Sequence, residues 1–396
     1  MNKSLIVIFA SVSLDAMGIG LIFPILPNLL KELTEPEHTA LYIGIMAALY
    51  AMMQLVFSPM LGALSDRYGR RPVLLLSLLG SAINYLCLAF SSCFTLLLLG
   101  RAIAGITSAT ISVASAYLTD TSPKAIRAKR FGLLNAMFGC GFIIGPVLGG
   151  LLGDYWLRLP FIAAAILTGA NFLLAWYVLP ESHTSKDKKL DLSLFNPLQP
   201  LRWMLSGSGL IPLVLTFFMF SATGEAYGIC WVLWGQDTFQ WNGLWVGVSL
   251  GFFGVFQMLV QVFLTGPAAS YFGERRAVFV GISSACVALI GMAFAQQTWV
   301  VLIIMPIFAL GSVGTPALQA LATQQVSAEH QGRLQGVLAS SVSLASVIAP
   351  LLFSSVYFAV QSSWPGAIWL SVVVIYICAI PCVMMATRSK YQLIEV

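Results

Sequence analysis

Twelve apolar runs, each about twenty residues long and separated by short polar stretches, fill this chain from end to end. A run of that length can cross a hydrocarbon layer about 30 Å thick as a helix. Lipid offers no partner to a free amide or carbonyl, so each run must close its own backbone hydrogen bonds, and only a helix does so within one segment. The spans fall near 5–30, 41–62, 73–91, 95–118, 131–152, 160–180, 209–234, 243–265, 277–296, 299–323, 335–357 and 366–387. The first run carries Asp15 in its middle and has no small-residue cleavage site, so it is expected to stay in the membrane and not to be removed as a signal peptide. The fold class that follows is an all-α polytopic membrane protein.

The second constraint is an internal echo at a spacing of 204 residues. Gly62, Gly69 and Arg71 in GALSDRYGRR recur as Gly266, Gly273 and Arg275 in GPAASYFGERR, and Gly132 and Pro146 recur as Gly336 and Pro350. Two similar halves fused head to tail predict two six-helix bundles, residues 1–180 and 209–396, joined by a cytoplasmic linker over 181–208. That linker is the one long hydrophilic connection, and it carries SHTSKDKKLD followed by Pro197 and Pro200.

Charge sets the orientation. Charged residues make up 9% of the chain, and with the N-terminus inside, 17 of the 20 Lys and Arg fall in cytoplasmic segments. Only Lys31 and Arg158 remain outside, and Arg101 lies within a span. Both termini are therefore expected in the cytoplasm, and the net charge of +5 is explained by topology without a nucleic-acid partner. The seven cysteines lie mostly in apolar runs without metal-binding spacing, and His38, His183 and His330 all fall in loops. No metal site and no cofactor are implied.

Gly62, Asp66, Arg67, Gly69, Arg70 and Arg71 together resemble the loop 2–3 signature of the major facilitator superfamily. Physically, Gly69 permits a tight reversal and Asp66 can bond facing basic groups, while a positive-inside anchor alone would not ask for the acid. The resemblance implies the major facilitator fold of two pseudo-symmetric bundles, and a cluster that latches the halves at the cytoplasmic face. Asp120, beside Lys124, Arg127, Lys129 and Arg130, resembles a cytoplasmic gate residue, with plain loop electrostatics as the alternative. GFIIGPVLGG in span 5, with Gly141, Gly145, Pro146, Gly149 and Gly150, resembles the antiporter motif of drug exporters. As a bare Gly-Pro pattern it would be helix packing.

LDAMGIGLIFPILP, RRPVLLLSLLG and LLLGRAIAGITSAT are similar to the proton-coupled tetracycline exporters. Those exporters carry acids within helices 3 and 9 and a histidine in helix 8. The matching stretches here hold Asn84, no acid around Ala285, and Gln257 and Gln261. These three amides are candidates to line a substrate path, although amides within spans also join helices.

Charges at bilayer depth cost at least about 2.5 kcal/mol each and are usually functional. Asp15 lies about 15 Å from the inner face and Arg101 about 10 Å from the outer face, depths that allow an ion pair. Glu225, in FSATGEAYGICW, is expected in the outer half of span 7 as a replacement acid. Asp15, Arg101 and Glu225 are the candidates for proton coupling; the alternatives are a fixed structural pair for the first two and an interfacial carboxyl for Glu225. Trp231, Trp234, Trp241 and Trp245 are expected to form an interfacial belt.

The resemblance implies a monomeric bacterial inner-membrane antiporter that exchanges protons for a small amphipathic compound, not an enzyme. An exporter of an endogenous metabolite or siderophore, a proton-coupled importer, and a transporter-like receptor remain alternatives. The charge asymmetry predicts that cysteines placed at Arg70 and Lys188 will react only with membrane-permeant thiol reagents. Labelling of either by an impermeant reagent from outside would overturn the topology.

Overall fold

The computed structural model describes residues 3–182, 210–326 and 330–388. His183, Lys188, Pro197, Pro200 and nearly all of the expected linker lie outside these. The described residues hold twelve helical stretches long and apolar enough to cross a membrane, at the places the apolar runs predict. The α-helices, two of which can share one span, are in order α1 (Lys3–Ile22), α2 (Leu26–Leu33), α3 (Thr39–Tyr68), α4 (Arg70–Ala89), α5 (Phe94–Ile106), α6 (Thr110–Thr121), α7 (Lys124–Tyr155) and α8 (Leu159–Val178). After these come α9 (Ile211–Phe239), α10 (Gly243–Phe263), α11 (Thr265–Phe272), α12 (Glu274–Ala293), α13 (Thr298–Leu310), α14 (Gly314–Gln324), α15 (Gln331–Val360) and α16 (Ala367–Arg388).

The spans depart from single unbroken helices at three places. The first run stops at Ile22 and turns at Phe23–Ile25 before α2, because Pro24 brings no amide and Pro27 fits only the first turn of a new helix. The fourth span breaks at residues 107–109, between α5 and α6. The tenth breaks at Gly311–Val313, a 3-10 segment between α13 and α14, which is the fourth span's break displaced by 204. The repeat therefore extends to where backbone pairing is interrupted. It also covers the turns ahead of α4 and α12, where Gly69 (φ 103°) and Gly273 (φ 74°) take backbone angles that a side chain would strain.

Two compact units carry separate cores. The first takes its described residues from Met1–Tyr42, Leu49–Pro197 and Asn242–Gly251, and the second from Ile43–Ala48, Leu198–Trp241 and Phe252–Val396. In the first, Ile8, Val12, Leu74, Leu78, Tyr117 and Leu118 pack together; in the second, Leu213, Val278, Ala309, Leu318, Val337 and Val383 do so. Large apolar side chains on the opposite faces, such as Ile166, Val262 and Ile303, stay about two-thirds exposed, as lipid-facing residues do.

The GFIIGPVLGG stretch is a double seam within the first unit. A Cβ on Gly145 would lie 3.0 Å from the Cα of Gly20, and one on Gly149 would lie 3.0 Å from that of Leu21, so this face of α7 rests directly on the α1 backbone. On the other face, Gly150 lies against the Gly243 backbone, and Gly247 against the Pro146 carbonyl, at the start of α10. The tryptophans correct the expected belt. Trp231 and Trp234 are fully buried and Trp241 nearly so, in a cluster with Trp369 whose ring centroids are 5.3–6.4 Å apart; only Trp245 is well exposed. They hold the end of α9 as core, and Trp241 donates Nε1–H to Thr298 Oγ at 2.9 Å.

The α1–α7 seam predicts that Gly145→Leu lowers the yield of monodisperse protein and destabilises it by about 2–4 kcal/mol, through overpacking against backbone. Gly139 has no atom within 4 Å of a built Cβ. Gly139→Ala should therefore be neutral or stabilise by up to about 1 kcal/mol. Thermal unfolding followed by gel filtration separates the two, and equal effects would remove the seam's significance.

Candidate functional site

Four spans of the first unit bring polar side chains together at membrane depth. Asp15 on α1 accepts a long hydrogen bond of 3.5 Å from Ser81 Oγ on α4. One turn along, Gly18 lacks a side chain where the Tyr85 hydroxyl sits, so α1 makes room for a phenol beside its own carboxyl. Arg101 on α5 lies over the Tyr50 ring of α3, 4.5 Å from its centroid, and its Nε is buried without a hydrogen-bond partner. Ser108, in the break between α5 and α6, is 3.0 Å from both the Tyr50 hydroxyl and Gln54 Nε2.

The expected ion pair between Asp15 and Arg101 is absent. Neither forms a salt bridge among the described residues. Arg101 turns toward Tyr50, Asp15 toward Ser81, and Tyr50 and Tyr85 each feel both charges electrostatically. A cation over a desolvated ring gains about 2 kcal/mol, enough to replace part of a carboxylate's attraction without pinning the carboxyl.

In the second unit Glu225 accepts a 2.6 Å hydrogen bond from Ser346 Oγ on α15. It lies fourteen residues from both Ile211 and Phe239, at the midpoint of α9 and not in its outer half. The expectation failed because α9 runs five residues past the predicted end at 234, through the buried tryptophans. Asn84 is buried, and its Oδ1 faces the Gly100 backbone where α4 meets α5, the position of a helix-joining group. Gln257 is half-buried and Gln261 exposed on α10.

The α3–α4 turn forms a second polar centre. The nearly buried Arg70 binds Asp66 at 2.5 Å and Asp120 at 3.0 Å, and donates to Ser65 Oγ at 2.6 Å. Gly62 at the end of α3 has no neighbour near a built Cβ, while Arg67 lies over the ring of Tyr68 at 5.3 Å. Arg71 donates to the Trp176 carbonyl on α8 and lies over that ring. Glu181, absent from the sequence expectations, accepts from the backbone amides of Arg70 at 2.7 Å and Arg71 at 3.1 Å, placing a carboxylate on the N-terminus of α4. Its carboxyl occupies the space that a side chain at position 69 would need. Arg127 and Arg130 are also structural, donating to the carbonyls of Thr119 and Thr121 at the end of α6. The repeat keeps this geometry but changes its chemistry: Glu274 and Gln324, 204 residues beyond Arg70 and Asp120, meet through one hydrogen bond of 3.1 Å.

Asp154 was also missed. One turn beyond Gly150 on α7, it accepts from the amides of Gly243 at 2.8 Å and Leu244 at 2.9 Å, and so caps α10. Nothing in a single Asp near the end of a span announces such a partner. Tyr50, Gln54, Tyr85 and Ser108 had a fainter signal, being polar groups within apolar runs, where lone hydroxyls are common.

Spans interrupted at repeat-related positions, with polar residues gathered beside one of the breaks, define a membrane carrier built from a duplicated bundle. The family model of the Major Facilitator Superfamily matches residues 8–263 and again 217–393, and the chain belongs to that superfamily. It is 42% identical over 389 residues to the class C tetracycline resistance protein of Escherichia coli, covering 98% of both chains. It is also 42% identical over 381 residues to the class G tetracycline resistance protein of Vibrio anguillarum, covering 96% of this chain and 97% of that one. Among solved structures, the nucleoside transporter NupG shares the fold with a TM-score of 0.81 at 11% identity, over 96% of this chain and 99% of its own. The chain is thus a twelve-span, all-α carrier of the major facilitator fold.

The Glu181 cap predicts that Glu181→Ala speeds amide hydrogen exchange in the first turn of α4 about tenfold, the scale of a lost helix cap. Unchanged exchange at Arg70 and Arg71 would reduce Glu181 to an incidental surface charge.

Proposed function

We propose that this chain exports a small amphipathic compound, tetracycline-like or another drug, across the bacterial inner membrane in exchange for protons. It works by alternating access as a monomer, with both termini in the cytoplasm. Residues 1–180 and 209–396 serve as the two bundles and 181–208 as the cytoplasmic linker. The observation that carries the reading is the near-full-length likeness to two tetracycline resistance proteins, joined to a membrane-depth carboxyl that no cation pins. Among the described residues Asp15 forms no ion pair and its one hydrogen bond comes from a neutral hydroxyl, so it can take a proton in one access state and release it in the other.

Arg101, held on Tyr50, supplies a fixed positive field that favours release. Glu225 is the second proton-binding candidate. Asp66, Arg70 and Asp120 act as the cytoplasmic gate, with Gly62, Arg67, Gly69 and Arg71 shaping its turn. Gly141, Gly145, Pro146, Gly149 and Gly150 give α7 its close seams. No Walker-type phosphate loop occurs in the sequence, so the ion gradient is the energy source, and 100 mV supplies about 2.3 kcal/mol per charge moved. Asn84 and Gln257, amides in the stretches where the tetracycline exporters carry an acid and a histidine, favour a cargo that does not travel as a metal chelate. An endogenous export substrate fits the same amides.

In proteoliposomes with an imposed pH gradient, Asp15→Asn should lose accumulation by about a hundredfold, the scale of a lost proton-transfer group. Equilibrium binding of the cargo should remain. Glu225→Gln should shift the pH dependence of flux or uncouple it. If Asp15→Asn concentrates cargo as the parent does, the carboxyl is structural and the coupling assignment fails.

A further inference from the structure

Two surface grooves have no occupant among the roles assigned so far, although the first ends at Arg71 of the gate's turn, and both use the same face of the repeat helix. One, of about 400 Å³, runs along Leu75, Leu76 and Leu79 of α4 to Phe172 and Trp176 of α8, with Arg71 at its end. The other, of about 580 Å³, runs along Phe279 and Val280 of α12 to Ile307 of α13, with Arg276 at its end. Phe279 and Val280 lie 204 residues beyond Leu75 and Leu76. We propose that each groove binds one anionic phospholipid, with an acyl chain in the apolar trough and the headgroup phosphate on the arginine.

Three observations point to that occupant. Each arginine sits in the first turn of its helix, at the positive end of the helix dipole. Each also has donors to spare. Arg71 uses Nη2 on the Trp176 carbonyl and leaves Nε buried without a partner, while exposed Arg276 makes no hydrogen bond or ion pair among the described residues. The nearest acids are engaged elsewhere, Glu181 on the backbone amides of Arg70 and Arg71, and Glu274 on Gln324.

The rest of the first wall is apolar, and the second is apolar but for Ser283 and Ser284, so each groove asks for a molecule that is charged at one end and mainly hydrocarbon along the other. A second copy of this chain, meeting the groove with a lipid-facing helix, would strand the guanidinium. A zwitterionic lipid would bring its own cation against it. α4 is the third span and α12 the ninth, so on the proposed topology both start from the cytoplasmic side.

The test is native mass spectrometry of the purified chain in neutral detergent, titrated with phosphatidylglycerol or with phosphatidylcholine of the same acyl chains. Two phosphatidylglycerols should be retained where phosphatidylcholine is not. Arg276→Gln should retain one, with affinity at its groove about tenfold weaker, or about 1.4 kcal/mol. Val280→Trp fills the second trough without changing charge and should also leave one, so the result does not depend on a single variant folding. Inorganic phosphate at the same concentration should displace neither lipid. Equal retention of the two lipid classes, unchanged stoichiometry in both variants, or displacement by phosphate would each overturn the proposal.

Discussion

The absence of water around the spans governs this structure more than any side-chain contact. A peptide group in lipid has no alternative partner, so every residue between the interfaces is committed to the helical ladder unless protein supplies something else. That rule makes the exceptions informative. The chain leaves the ladder within a span beside Ser108 and again at Gly311–Val313. At the first break Tyr50 and Gln54 gather on the Ser108 hydroxyl, while at the second Ser312 Oγ is buried without a partner. Two breaks related by the repeat are therefore furnished differently, and the polar cluster belongs to one copy only.

The same economy shapes helix packing. Water does not drive two lipid-soaked helices together, so close fit must do it, and glycine provides the fit by removing atoms. On α7 the glycines at every fourth position meet α1, while Pro146 and Gly150 meet the start of α10. Proline within this stretch is tolerated for a related reason: Pro146 packs against Gly20, whose missing side chain gives the ring its space. A motif that resembles an exporter signature is thus, at the level of atoms, two interleaved contact stripes.

Much of the fold could be seen in the sequence because period, length and charge asymmetry are properties of whole segments. The runs marked twelve spans, and glycine with arginine at a spacing of 204 marked two related turns, whose positive φ angles bear out the reversals. The polar centres were legible only as inventories. Asp15, Arg101, Asp66, Arg70 and Asp120 stood out because charges are rare here, yet which of them meet depends on helix rotation and on intervening rings. Arg70 did find Asp66 and Asp120, whereas Arg101 found a tyrosine face. The caps by Glu181 and Asp154 escaped notice because they join residues about 110 and 90 positions apart through backbone amides, which carry no residue-type signature. The tryptophans misled because their composition is the same in a belt as in a core.

The turn ahead of α12 still carries its glycine at φ 74°, although the arginine and aspartate of the first turn have become glutamate and glutamine. Backbone shape has outlasted the ion pair it once could have served. A hydrogen bond between a carboxylate and a neutral amide lacks the mutual Coulomb attraction of Arg70 and Asp120, and so it is far less sensitive to dissolved salt. Duplication has left this carrier with two turns of one backbone design, of which, among the described residues, only the first is closed by an ion pair.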